Sequence, residues 1–226
     1  VMLGAGGHLN IRAAQKSLRK KPPGQINDTT VEDLVDYRDE EGAFGPILCD
    51  SDRAARNILE FRLADGARLI ARPSGTEPKH KIYAEVSAPP IGIGGSLADL
   101  QSCKAETDAL ARELALGLCV ELLDRIGISM PRWALEISDL VPLEWKRDFS
   151  QEVLPKLVSE LTAGKSAGEV EEWVDQCLEK YGADGRLLVR DAVAAYCRQL
   201  PPDPSVRKKL ERLFAIEPSD PAEQKD

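Results

Sequence analysis

One stretch of the chain gathers residues suited to holding an anion: Arg72-Pro73-Ser74-Gly75-Thr76-Glu77-Pro78-Lys79. Arg72 offers a planar fork of donors that matches phosphate or carboxylate. Ser74 and Thr76 add hydroxyls. Gly75 lets backbone N–H groups come close to an anion, as in a nest. Lys79 adds a point charge, and Pro73 and Pro78 stiffen the two ends, which lowers the entropy lost in holding the cluster. Residue types alone leave a second reading open, because Gly, Ser, Thr and Pro are also ordinary loop composition.

The elements around this stretch read as α+β. A helix is expected from about Leu9 to Lys20, with Ile11, Ala14 and Leu18 on one face and Pro22-Pro23-Gly24 as its stop. Its basic end, Arg19-Lys20-Lys21, reads as charge complementing the helix dipole rather than as a phosphate site. Thr29–Tyr37 reads as a strand, although Val31, Leu34 and Val35 break a clean alternation. Arg38–Asp52 reads as a loop. Asn57–Leu63 is the next strand, Asp65-Gly66 signals a hairpin, and Arg68–Ala71 returns. The anion loop follows, and Ile82, Ala84 and Val86 alternate with Lys81, Tyr83 and Glu85 in a further strand. After the Pro89-Pro90 and Gly92–Gly95 break, Leu97, Leu100, Cys103, Thr107, Leu110, Leu114, Leu118 and Leu122 recur at helical spacing between a Ser96 cap and a Gly127 stop. This long helix is expected to cover a face of the sheet.

Beyond Gly127 the strand signals vanish. Helices are expected near Arg147–Ala163, Ser166–Tyr181, Asp184–Leu200 and Pro204–Ile216, with Glu217–Asp226 as a frayed tail. Trp133, Trp145 and Trp173 read as core anchors of this region. The basic run at Arg207-Lys208-Lys209 and Arg212 reads as a solvated helix face. The fold expected is therefore a small antiparallel-rich sheet packed by helices over 1–127, followed by an all-α bundle over 128–226.

Composition narrows the function classes. The 226 residues hold 30 Lys and Arg against 38 Asp and Glu, a net charge of -8, with no long basic tract, which argues against nucleic acid as a partner. No apolar run approaches the roughly 18–20 residues of a membrane span, so no membrane partner is expected. The first residues, Val1 to Gly7, lack the basic start and apolar stretch of a signal peptide. Five cysteines without a C-x-x-C pair, and only two histidines, fit free thiols in a reducing cytoplasm better than disulfides or zinc.

The loop Arg72–Lys79 followed by Lys81-Ile82-Tyr83 closely resembles the phosphate-binding signature in the last domain of the α-D-phosphohexomutases, the phosphoglucomutases and phosphomannomutases. The basic helix end with Pro22-Pro23 and the Asp65-Gly66 hairpin fit the same pattern, so that the resemblance covers about Gly7 to Gly127. It implies that Arg72, Ser74, Gly75 and Thr76 hold the phosphate of a phosphosugar, with Lys79 as a further contact, while Glu77 and Pro78 shape the loop. It also implies an enzyme that interconverts hexose 1-phosphate and 6-phosphate through a bisphosphate, in which this domain clamps the phosphate not being transferred and moves to close the active site.

Such an enzyme needs a phosphoserine loop and a magnesium loop of the D-G-D-x-D-R kind. Neither is found here: Asp50-Ser51-Asp52-Arg53 echoes half of the metal loop, but Leu48 stands where its first aspartate belongs. No cofactor is therefore expected in this chain, only magnesium in a complete family enzyme. The chain reads as the C-terminal piece of a longer polypeptide whose other mutase domains are its partners, inactive alone. His80 departs from the family pattern, which expects an apolar residue there, and reads as a histidine at the core edge. A rival reading makes the chain a non-catalytic interaction module centred on the helical extension.

Overall fold

The computed structural model describes residues 6–92 and 94–217, so most of the tail expected at 217–226 lies outside the described residues. The chain divides into two compact units, Val1–Ser129 and Met130–Asp226.

The first unit is a five-stranded antiparallel sheet in sequence order, β1 to β5. Helix α1 (Gly7–Lys20) buries Ile11, Ala14, Gln15 and Leu18 and ends in Arg19 and Lys20. Strands β1 (Gln25–Ile26) and β2 (Thr29–Asp36) form a hairpin that the sequence reading missed. Its two-residue turn puts Asn27 at a positive φ of 52°, a conformation asparagine tolerates. The broken alternation of β2 has a structural cause. Val31 pairs with Leu63 and Asp33 with Arg62, which leaves Glu32 as the extra residue of a bulge. The bulge restores Val31 and Leu34 to one face, and both pack against the core.

The segment 38–49 is a loop, but the loop expected through Asp52 ends in helix α2 (Asp50–Ala55). Strands β3 (Leu59–Leu63) and β4 (Arg68–Pro73) meet at Asp65-Gly66, where Gly66 takes a φ of 81° and the Asp65 carboxylate accepts the Ala67 N–H. Strand β5 (His80–Glu85) closes the sheet.

Helix α3 (Leu97–Asp124) begins with a capping box between Ser96 and Asp99. Only its C-terminal half covers the sheet: Leu114, Leu118 and Leu122 are buried, whereas Leu97, Leu100 and Leu110 are exposed. A 28-residue helix of about 42 Å is simply longer than strands of five to eight residues. Gly117 has a specific task in it. A Cβ there would lie 2.2 Å from the Asn27 carboxamide oxygen, so glycine lets the β1–β2 turn seat on the helix, where Asn27 donates to the Glu113 carbonyl at 3.0 Å. The core is the single sheet face formed by Leu59, Phe61, Leu63, Leu69 and Ala71 under α1 and α3.

Every secondary-structure element among the described residues of the second unit is helical. Trp133, on a short 3-10 turn (Arg132–Glu136), packs edge-on against Tyr196, with ring centroids 5.4 Å apart. The helix expected from Arg147 to Ala163 is instead α4 (Leu143–Asp148), a wide π turn (Phe149–Val153) and α5 (Leu154–Thr162). The wide turn sits where Pro155 has no N–H to give to the carbonyl four residues back. Helix α6 (Ala167–Leu178) starts at the Ser166–Glu169 capping box, and α7 (Gly185–Gln199) and α8 (Pro204–Leu213) complete the bundle. Of the three expected tryptophan anchors, only Trp133 is buried; Trp145 and Trp173 are half-buried.

Candidate functional site

The loop 74–79 connects β4 and β5, whose register sets Arg72 opposite Lys81 and Pro73 opposite His80. Two backbone bonds shape it. The Ser74 N–H donates to the Lys79 carbonyl at 2.9 Å, and the Lys79 N–H donates to the Glu77 carbonyl at 2.7 Å. Among the described residues, the N–H groups of Gly75, Thr76 and Glu77 and the hydroxyls of Ser74 and Thr76 have no intrachain partner. Three consecutive unspent amides at an exposed turn are the donor set an anion requires. A Cβ on Gly75 would meet nothing within 4 Å, and Gly75 is not among the positive-φ glycines. Neither crowding nor backbone conformation demands glycine there.

The charged side chains divide into two kinds. Lys79 is spent: its ammonium lies 2.6 Å from the Glu77 carboxylate. That hydrogen bond, followed by the attraction of the same charge, holds the Glu77 carboxyl below its usual range. Arg72 has no carboxylate partner among the described residues, and neither does Lys81 within ion-pair distance. Both are exposed on the sheet face opposite the core. Two like charges directly across a strand pair repel, so the sheet end holds a surplus of positive charge that nothing in the loop cancels. Lys81 was not among the site residues read from the sequence. The signal was available in the antiparallel register, which the loop length would have given.

Neighbouring elements hold this end of the sheet in place. Gln15 of α1 donates to the Ala71 carbonyl at 3.4 Å and the Asn57 carbonyl at 3.3 Å, just ahead of Arg72. Arg19 pairs with Asp36 at 2.7 Å and donates to Asn57 at 2.8 Å. Arg19 is thus a strut between α1 and the sheet and is not available to an anion. His80 is 5% exposed on the core face behind the loop. Burial pushes its pKa down to about 4, against a smaller opposing effect from the Lys81 backbone. It is a neutral residue of the core edge at physiological pH.

The partial metal-loop echo does not fit magnesium. One Asp52 oxygen accepts the Leu48 N–H at 3.0 Å and the other accepts from Arg56 at 2.7 Å, so the carboxylate tethers α2 to the preceding loop and to a guanidinium. Among the described residues no group of three or more acidic, histidine or cysteine side chains could hold a metal.

Residues 17–90 match the family described as phosphoglucomutase/phosphomannomutase, C-terminal domain. Residues 17–90 belong to that domain family. A probable phosphomannomutase of Haemophilus influenzae is 37% identical over 87 residues, which is 35% of this chain and 16% of that protein. The chain therefore spans a small part of the relative it matches. No solved structure matches. The family segment contains α1's basic end, all five strands and the whole anion loop, and the mixed α+β architecture agrees with the fold expected from the sequence. Family enzymes use magnesium, and the mutase domain match does not extend to the helical unit. No described helix is long and apolar enough to cross a membrane.

Proposed function

We propose that residues 1–127 are the phosphate-clamping domain of a cytoplasmic phosphohexomutase, and that 128–226 form a helical extension of it. In this reading Arg72, the Ser74 and Thr76 hydroxyls and the backbone amides from Gly75 onward hold the phosphate of a hexose phosphate. Lys81 supplies a second cation, and Lys79 serves to neutralise Glu77. The observation that carries the reading is the coincidence of unspent amides, unspent hydroxyls and an unpaired arginine in one loop.

The clamp does no bond-making itself. It binds the phosphate remote from the reacting one, and that binding energy orients the sugar for transfer elsewhere. Serine and magnesium chemistry would come from the other mutase domains, which are the partners this reading implies, and the chain alone would not turn over substrate.

The test is an amide NMR titration of this chain with glucose 1-phosphate, with Arg72→Ala as control. Saturable shifts confined to the segment 72–81, and lost in Arg72→Ala, are expected. Shifts elsewhere, or shifts that survive the substitution, would show that the loop is not the clamp.

A further inference from the structure

Strand β5 is an edge of the sheet. Its backbone pattern can be worked out from one bond. Because the Ser74 N–H reaches the Lys79 carbonyl, the pairs 72/81, 70/83 and 68/85 are the hydrogen-bonded pairs of the ladder. Lys81, Tyr83 and Glu85 therefore spend their backbone groups on β4. Ile82 and Ala84 turn theirs outward, to the free edge. Such a row is a template for another strand.

The side chains select the strand that fits. An antiparallel partner identical to β5 must set outward-turned residues opposite outward-turned residues, which leaves registers centred on Ile82, Tyr83 or Ala84. Only the register centred on Tyr83 sets Lys81 of one copy opposite Glu85 of the other, twice by symmetry, where it joins the Arg68–Glu85 ion pair already made across β4 and β5, with Tyr83 facing its own counterpart. Tyr83 is 50% exposed, and opposite charges and aromatic pairs are the favourable cross-strand combinations. The two-fold axis stands normal to the joined sheet, so the two copies of helix α3, which packs on β5, lie on the same side of it.

We propose that this chain self-associates through β5 into a two-fold dimer with one continuous ten-stranded sheet, in the register centred on Tyr83. The dimer shares Lys81 with the phosphate reading, and its other determinants are the edge backbone, Tyr83 and Glu85.

Sedimentation equilibrium of the complete 226-residue chain is expected to show a mass that rises with concentration from 24.7 kDa toward twice that value. Glu85→Lys sets lysine against Lys81 twice and is expected to weaken association by about tenfold; adding Lys81→Glu restores opposite charges and is expected to recover it. Tyr83→Cys, in a Cys49→Ser background because Cys49 is exposed, reads the register directly. Facing residues at a non-hydrogen-bonded position lie about 4.5 Å apart at Cα, within disulfide range. Diamide should give a covalent dimer with Tyr83→Cys and not with Glu85→Cys. A single species of 24.7 kDa at every concentration would overturn the proposal and leave the edge to a strand of another polypeptide. Equal cross-linking by the two cysteine variants would overturn the register and the proposal with it.

Discussion

Removing Glu77 and Lys79 together tests the division of labour inside the loop. The two charges sit 2.6 Å apart and cancel, so the double variant Glu77→Gln with Lys79→Met leaves the surplus charge of the loop unchanged. Arg72 and Lys81 remain in place, opposite each other on the outer face. A cation about 5 Å from a phosphate dianion in a wet site is worth about 2 kcal/mol, and roughly half of that at physiological ionic strength. Lys81→Met should accordingly weaken glucose 1-phosphate binding by about five- to tenfold. Arg72 adds directed, charge-assisted hydrogen bonds worth about 1.5–3 kcal/mol, so Arg72→Ala should cost about 10- to 100-fold. The double variant should stay within about twofold of the parent. Isothermal titration calorimetry on the four proteins gives the ranking. A double variant as weak as Arg72→Ala would refute the argument, because Lys79 would then be a phosphate ligand rather than the counter-charge of Glu77.

The remaining predictions concern the frame that holds the loop. His80 titrates near 6.5 when unfolded and at about 4 when folded. Protons therefore bind the unfolded chain first, and the stability of the first unit should fall as pH drops from 6.5 to about 4, by about 3 kcal/mol in full. His80→Leu should remove that slope; a slope that persists in the variant would show that other groups cause it. All three tryptophans lie in the second unit, so amide exchange of β3 and β4 is the readout for the first unit and tryptophan fluorescence the readout for the second. In the second unit Lys146 is 1% exposed and donates to the Ile137 carbonyl at 2.7 Å. Lys146→Met leaves that carbonyl without its donor and should cost about 1–3 kcal/mol; an unchanged fluorescence melt would show that the carbonyl finds another donor. Asn27→Ala should loosen the β1–β2 turn from α3 by removing the bond to the Glu113 carbonyl, at about 0.5–1.5 kcal/mol, seen as faster exchange at residues 25–30.

Much of this architecture was legible in the sequence because the first unit is built from local rules. Asp65-Gly66 needs a positive φ, and the alternation of Leu59, Phe61 and Leu63 needs a buried face. Pro22-Pro23 cannot continue a helix. Each of these is decided within a few residues. What escaped was decided across the fold. The bulge at Glu32 exists because β2 must follow β3. Gly117 looks like a weak helix residue until Asn27 arrives beneath it from ninety positions away. Alternation along β3 sets Glu60 on the face away from Leu59 and Phe61, yet it is 3% exposed, because the Tyr37 hydroxyl at 2.8 Å and Arg62 at 3.1 Å close over it. A period of two assigns a face but says nothing of what covers that face.

The same distinction governs the site. Residue types identified every donor in the loop, yet charge alone could not rank Arg72, Lys79 and Lys81. The ranking comes from spending. Lys79 is committed to Glu77 and Arg19 to Asp36, while Arg72 and Lys81 make no ion pair with a carboxylate among the described residues, Lys81 acting on Glu77 only from beyond contact. A cation already paired must break that pair before it can serve a ligand, whereas an unpaired one gives its full attraction at no internal cost. Arg72 and Lys81 also repel each other across the strand pair, a strain that a dianion bound between them would relieve. In the proposed reading, a bound phosphate would stabilise the loop both through new bonds and by relieving that repulsion.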